Sequence, residues 1–110
     1  MSLYAEYIKE REGKDIVESE KGFATYQIFD NGDCYIQDIY VAPEFRKTGL
    51  AVDMQKEIAQ IAKEKGCSAL MGSISLDDKN ASRNLRIMLN ENYIIHNTIG
   101  TMIFLKKDIK

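Results

Sequence analysis

The stretch from Cys34 to Ala51, CYIQDIYVAPEFRKTGLA, sets three parts in an order that can do chemistry. An apolar run reaches a proline, a basic turn follows with Arg46, Lys47, Thr48 and Gly49, and an amphipathic helix then opens. The first turn of a helix carries backbone N–H groups that have no partner inside the helix, and the helix dipole places partial positive charge there. Two cationic side chains in the same turn add full charges. Such a turn binds anions, and a strand just before it carries further backbone groups up to it. The stretch therefore reads as a site for a phosphorylated cofactor. The plainer alternative is a basic, solvated turn in front of an ordinary helix.

Other chemistries find less support. Cys34 and Cys67 are not spaced as CxxC and have no histidine pair beside them, so they read as small core thiols and not as zinc ligands. No metal is expected. The six tyrosines are spread over the chain and do not cluster into a platform for stacking bases. There is no Walker loop, no GxSxG elbow and no HExxH pair. His96, the one histidine, sits in the middle of a strand-like run and reads as structural, with a role as an acceptor-side base as the alternative.

The elements that must position the basic turn follow from pattern. Residues 2–12 read as a helix with Ser2 as cap and Leu3, Tyr7 and Ile8 as its apolar stripe, ended by Gly13. Residues 15–20 and 23–29 read as strands around a tight turn at Lys21-Gly22. Asn31-Gly32 is a strong hairpin signal, because that pair takes positive φ cheaply. Residues 34–41 complete a three-stranded antiparallel meander, and Pro43 stops the last strand. A helix then starts near Thr48 or Gly49, with Leu50, Met54, Ile58, Ile61 and Ala62 on one face and Gly66 as its end. Residues 68–76 form a second core strand, which a strand–helix–strand path makes parallel to the first. A second helix over 81–91 turns Leu85, Met88 and Leu89 inward, strands at 93–98 and 100–105 follow, and KKDIK is left as a charged tail. The order is α-β-β-β-α-β-α-β-β, an α/β (α+β) mixed sheet with helices packed on it.

Length and composition bound the rest. The chain has 110 residues, which suits one domain with a modest core. Hydrophobic residues make up 45% and charged residues 29%, a globular balance. A net charge of −2 gives no general attraction for nucleic acid. No apolar run approaches the roughly 20 residues of a membrane helix. The N-terminal MSLYAEYIKEREG lacks the apolar core of a signal peptide and is rich in acid, so a cytoplasmic protein is expected. So small a domain can leave apolar surface unburied near its last strands, which makes a homodimer plausible.

Val41-x-Pro43-x-x-Arg46-x-x-Gly49-x-Ala51 resembles the acyl-CoA-binding motif of the GCN5-related N-acetyltransferases, the GNAT superfamily: Arg or Gln, two residues, Gly, one residue, Gly or Ala. The motif here follows a strand, opens an amphipathic helix and lies inside a matching run of elements over about residues 14–105. The chain resembles a small, N-terminally shortened member. The resemblance implies acetyl-CoA as acyl donor and a small-molecule or peptide amine as acceptor, joined by direct attack in a ternary complex. It implies that the N–H groups around Lys47, Thr48, Gly49, Leu50 and Ala51, with Arg46, hold the pyrophosphate. Backbone groups of Ile39, Tyr40 and Val41 would meet the pantetheine arm and thioester where this strand splays from its parallel neighbour. Asn80 matches an asparagine that often touches the cofactor, with a plain N-cap as the alternative, and Arg83 reads as a solvated helix arginine, with contact to the 3′-phosphate of CoA as the other reading. Asp38 is the implied general base for an ammonium of pKa about 10.4, with a structural strand acid or a substrate-orienting charge as the other reading, and Glu18, Glu20 and Asp33 read equally as acids of the acceptor side or as a solvated face. The family often protonates the leaving thiolate with a tyrosine four residues before a Gly-Phe pair. Asn92-Tyr93 aligns with that pair, so the position is Met88, which carries no proton to give. Water, Tyr40 or Ser82 would then stand in. The alternative is a GNAT-fold module that binds acyl-CoA or a protein partner with weak or no turnover.

Overall fold

The computed structural model describes residues 2–109. Helix α1 (Leu3–Glu12) leads into β1 (Asp15–Glu18), β2 (Gly22–Ile28) and β3 (Asp33–Val41). A 3-10 turn (Pro43–Phe45) precedes α2 (Leu50–Glu64), followed by β4 (Ala69–Ser75), α3 (Ala81–Asn90), β5 (Ile94–Ile99) and β6 (Met102–Asp108). The six strands make one mixed sheet in the order β1-β2-β3-β4-β6-β5. Among the described residues no helix is long and apolar enough to cross a membrane.

Turn chemistry sets the meander. Gly32 takes φ 92°, and the Asn31 side chain accepts the Asp33 N–H at 3.0 Å, which closes the β2–β3 hairpin. The β1–β2 turn is longer than Lys21-Gly22 alone suggests. The Ser19 N–H donates to the Gly22 carbonyl and the Lys21 N–H to Ser19 Oγ, so β1 stops at Glu18.

One face of the sheet buries the core. Ala24, Tyr26, Cys34, Ile36, Leu70, Ile74, Ile103 and Leu105 meet Met54, Ile58 and Ala62 of α2 and Ala81 of α3, with Leu85 and Met88 packed against them. The spacing of Ala81, Leu85 and Met88 is one helical stripe, so α2 and α3 cover the same face. Strand alternation turns Phe23, Thr25, Tyr35 and Ser73 to the opposite face. There α1 touches the sheet, with the Tyr4 ring edge-on to Phe23 at 5.9 Å.

Three expectations need correction. Helix α1 buries Ala5 and Ile8, and not Leu3 or Tyr7; Leu3 is 83% exposed, because a helix on one edge of a sheet hides only a narrow stripe. Leu89 is exposed, since it lies off the Ala81–Leu85–Met88 line. The first three residues of the supposed charged tail are strand, Lys106, Lys107 and Asp108 pairing with Met71, Leu70 and Ala69, while Lys110 lies outside the described residues. Their charges are accommodated at the strand's flank, Lys106 by Asp33 at 3.6 Å and Lys107 over the Tyr93 ring.

Candidate functional site

The parallel pairing of β3 with β4 is short. It joins Asp33, Cys34 and Tyr35 to Ala69, Leu70 and Met71 and goes no further, whereas β3 stays paired with β2 as far as Val41. From Ile36 onward the two strands part and leave a cleft in the middle of the sheet. The Ala42 N–H donates to Lys21 on the β2 side. The two-residue strand period then points the backbone groups of Asp38 and Tyr40 toward β2 and those of Ile39 and Val41 into the cleft. Tyr40 contributes its side chain to the region, and not its backbone.

The basic turn stands at the open end of this cleft. Pro43 starts the 3-10 turn that ends β3, a small element that periodicity did not predict. Lys47 and Gly49 both take positive φ, 65° and 86°. Gly49 is the N-cap of α2, and no side chain caps the helix. The first helical hydrogen bond runs from the Asp53 N–H to the Gly49 carbonyl at 3.0 Å. The N–H groups of residues 47–52 have no acceptor among the described residues. The Thr48 hydroxyl ties back to the Phe45 carbonyl and holds the turn. Arg46 folds toward the strand: its Nε donates to the Val41 carbonyl at 3.0 Å, and its guanidinium lies 5.8 Å from the Tyr40 ring centre. Lys47, Thr48 and Gly49 are exposed, while Leu50 and Ala51 are half-buried at the helix start. This is an outward-facing set of donors with two cations beside it, the form an anion site takes.

Asp38 sits where β3 is irregular. Thr25 pairs with Asp38 and Tyr26 with Ile36, so Gln37 is an extra residue. Such a bulge re-aims the side chains next to it. The Asp38 carboxylate accepts from the Thr25 hydroxyl at 3.5 Å, and the Asp38 N–H donates to the same oxygen at 3.2 Å. Thr25 is buried and Asp38 exposed. The carboxylate is therefore held at its base and open at its tip, on the face opposite α2.

Asn80 and Arg83 stand at the start of α3, after the open end of β4, both exposed. Asn80 occupies the N-cap position of α3, but its side chain makes no capping bond, and its own N–H goes to Asp78 Oδ1 at 2.8 Å. The other acids are elsewhere. Asp33 lies at the paired end of β3 with Asn31 and Lys106, Glu18 is bonded to the Ser2 hydroxyl at the end of β1, and Glu20 is exposed in the β1–β2 turn. Exposed His96 is the unpaired residue of a bulge in β5, two strands from the cleft. Ser82 is exposed on α3.

Three residues at the inner end of the cleft escaped sequence reasoning. The Tyr35 hydroxyl and Ser73 Oγ are 2.6 Å apart and tie β3 to β4 two residues beyond their last pair. Nothing along the chain links positions 38 residues apart. Gly72, an isolated glycine in a strand, was the readable signal of a close approach. A Cβ there would lie 2.8 Å from the Met88 terminal methyl. Cys34 and Cys67 are free and buried, and burial pushes the Cys34 thiol up to about 12. Burial likewise pushes Tyr93 up to about 12; its hydroxyl donates to Gln55 between α2 and β6, away from the cleft.

A mixed sheet parted between two parallel central strands, with an uncapped helix start at the opening, defines the acyl-CoA N-acyltransferase class of fold. The model of the acetyltransferase (GNAT) family matches residues 5–85, and the chain belongs to that family. It is similar to thialysine N-epsilon-acetyltransferase of Bos taurus, 38% identical over 48 residues, which are 44% of this chain and 28% of that protein. The chain thus spans well under half the length of this curated relative. Its fold is similar to a crystal structure from Desulfovibrio desulfuricans assigned to the GNAT family (TM-score 0.79, 15% identity, 96% of this chain and 78% of that one). It is also similar to the PaiA N-acetyltransferase of Thermoplasma acidophilum in complex with coenzyme A (TM-score 0.75, 18% identity, 96% and 69%).

Proposed function

We propose that the chain is an N-acetyltransferase that moves an acetyl group from acetyl-CoA to a primary amine. The observation that carries this is the set of unpartnered N–H groups at residues 47–52, opening onto the cleft between β3 and β4. Several converging donors and a helix dipole suit a pyrophosphate. Gly49 has nothing within 4 Å of where a Cβ would be, so phosphate can approach its backbone. The free groups of Ile39 and the Val41 N–H suit pantetheine, which would pair with β3 as an added strand does. The Thermoplasma relative holds coenzyme A, which supports the same donor here.

In this reading Asp38, directly or through water, takes a proton from the acceptor's ammonium group. The freed amine attacks the thioester carbon. The C–N bond forms and the C–S bond breaks, the nitrogen gives its second proton to water, and the CoA thiolate leaves and takes a proton from water. A thiolate is a fair leaving group, so Met88 in place of a proton donor does not stop the reaction. The name of the bovine relative places acetylation on the ε-nitrogen of thialysine, which supports a side-chain-like primary amine as acceptor. A binding module without turnover is the second reading, and Met88 is the observation that favours it. Exposed Ile94, Ile95 and Ile99 on edge strand β5 support a homodimer, which sedimentation would test.

Calorimetric titration with acetyl-CoA and a thiol-release assay over a panel of primary amines test the reading. Saturable binding with amine-dependent thiol release is expected. Binding without release for every amine leaves the module, and no binding of acetyl-CoA or CoA removes the cofactor altogether.

A further inference from the structure

The cleft between β3 and β4 is closed at its inner end on both faces of the sheet. Its floor is the last paired rung, Tyr35 with Met71. On the α1 face, the half-buried Tyr35 ring reaches across the parting strands to Ser73 through the 2.6 Å hydroxyl contact. On the α3 face, half-buried Met88 lies over Gly72, the first β4 residue beyond the floor, and fills the space a side chain there would take.

The two walls differ in stiffness. Tyr35 is a rigid ring whose tip is fixed by a short hydrogen bond. Met88 is an unbranched thioether with several rotatable bonds, the kind of side chain that adapts to its surroundings. Of the two walls, Met88 is the one that can adapt.

We propose that Met88 is the acyl-length determinant of this cleft, working against the fixed Tyr35–Ser73 wall, and that it limits the donor to an acetyl-sized acyl group. This rests on the reading that acyl-CoA lies in the cleft. An arm running along Val41 and Ile39 carries the thioester toward Gln37 and the floor, so any carbon beyond the carbonyl meets Met88. Each extra methylene that a hydrophobic pocket must take shifts discrimination by about 10–200-fold, and a butyryl group would press two more than acetyl against the Met88 side chain.

Calorimetric dissociation constants of the full chain for CoA, acetyl-CoA and butyryl-CoA test this without knowledge of the acceptor. The wild-type chain is expected to bind acetyl-CoA at least about ten-fold more tightly than butyryl-CoA. Met88→Ala is expected to shift that ratio about ten-fold or more toward butyryl-CoA with CoA affinity unchanged. Met88→Phe is expected to weaken acetyl-CoA and spare CoA, and it keeps the test open should circular dichroism show that Met88→Ala does not fold. An acetyl-to-butyryl ratio unchanged by the folded variants overturns the proposal and leaves the cofactor reading standing. Failure of the wild-type chain to bind even CoA overturns both.

Discussion

The two ends of β3 are built from the same kind of residues and meet different fates. At the start of the strand, Asp33–Tyr35 pair on both sides, and Cys34 is 0% exposed beneath α2. At the far end, Ile36 and residues 38–41 pair on one side only, and Ile39 and Tyr40 are 38% and 46% exposed. Large apolar side chains and free backbone groups are both costly to leave unsatisfied. Their coincidence at one strand end, beside an uncapped helix, is what supports a ligand site there. The bulge at Gln37 falls at the boundary and aims Asp38 out of the closed half. In the proposed function the closed end gives stability and the open end chemistry, and substitutions should separate the two.

The largest expected effect is at the open end. Asp38→Asn should lower kcat by about 10²-fold or more, the range for loss of a general base. The fold and acetyl-CoA affinity should be retained; a pH–rate profile unchanged in shape and height would remove Asp38 from the chemistry. Next is Gly49→Val. Its Cβ meets no protein atom, but positive φ strains a branched residue and the side chain fills the approach to the N–H groups. Acetyl-CoA affinity should fall about 100-fold, about 2.7 kcal/mol, with an ordinary melting transition, and retained affinity by calorimetry would count against the anion site. Gly22→Ala acts through structure. Its methyl would collide with the Tyr40 carbonyl oxygen where β2 holds the open end of β3. Denaturant unfolding should show a loss of about 1–3 kcal/mol, and a neutral result would mean that this strand end yields easily.

The smallest effect belongs to the closed end and appears with pH. Burial holds the folded pKa of Cys34 at about 12 against an ordinary 9.0, and of Tyr26 and Tyr93 at about 12 against 10.0. A raised folded pKa means that the stabilisation is complete below the unfolded value and is lost as pH rises toward the folded one. Thermal stability should therefore decline through this contribution only above about pH 9. Thiol titration of the native chain near neutral pH should leave Cys34 unmodified until denaturant is added; rapid labelling would show that the closed end opens.

Much of this protein was legible along the chain. Helix and strand identities follow from side-chain periods of 3.6 and 2, and Asn31-Gly32, Pro43, Gly49 and Gly66 mark turns and helix ends because their φ preferences are local. The basic turn could be read for the same reason, since its donors and charges are contiguous. Its family resemblance rests on Arg46, Gly49 and Ala51 within that one turn.

Tertiary structure decided what depends on pairing between distant segments. Residues 106–108 read as tail until β4 offered a partner, because charged residues become strand only against a neighbour. The length of the β3–β4 pairing, the direction of the Ile39 and Val41 backbone groups, the bulge that presents Asp38, the Tyr35–Ser73 tie and the seat of Met88 over Gly72 all lie across strand or helix boundaries. Local periodicity carries no information about where two parallel strands stop pairing. The sequence thus determined that a basic, glycine-containing turn opens a helix and what residues compose it; the packed sheet decided where that turn opens and where the cleft behind it ends.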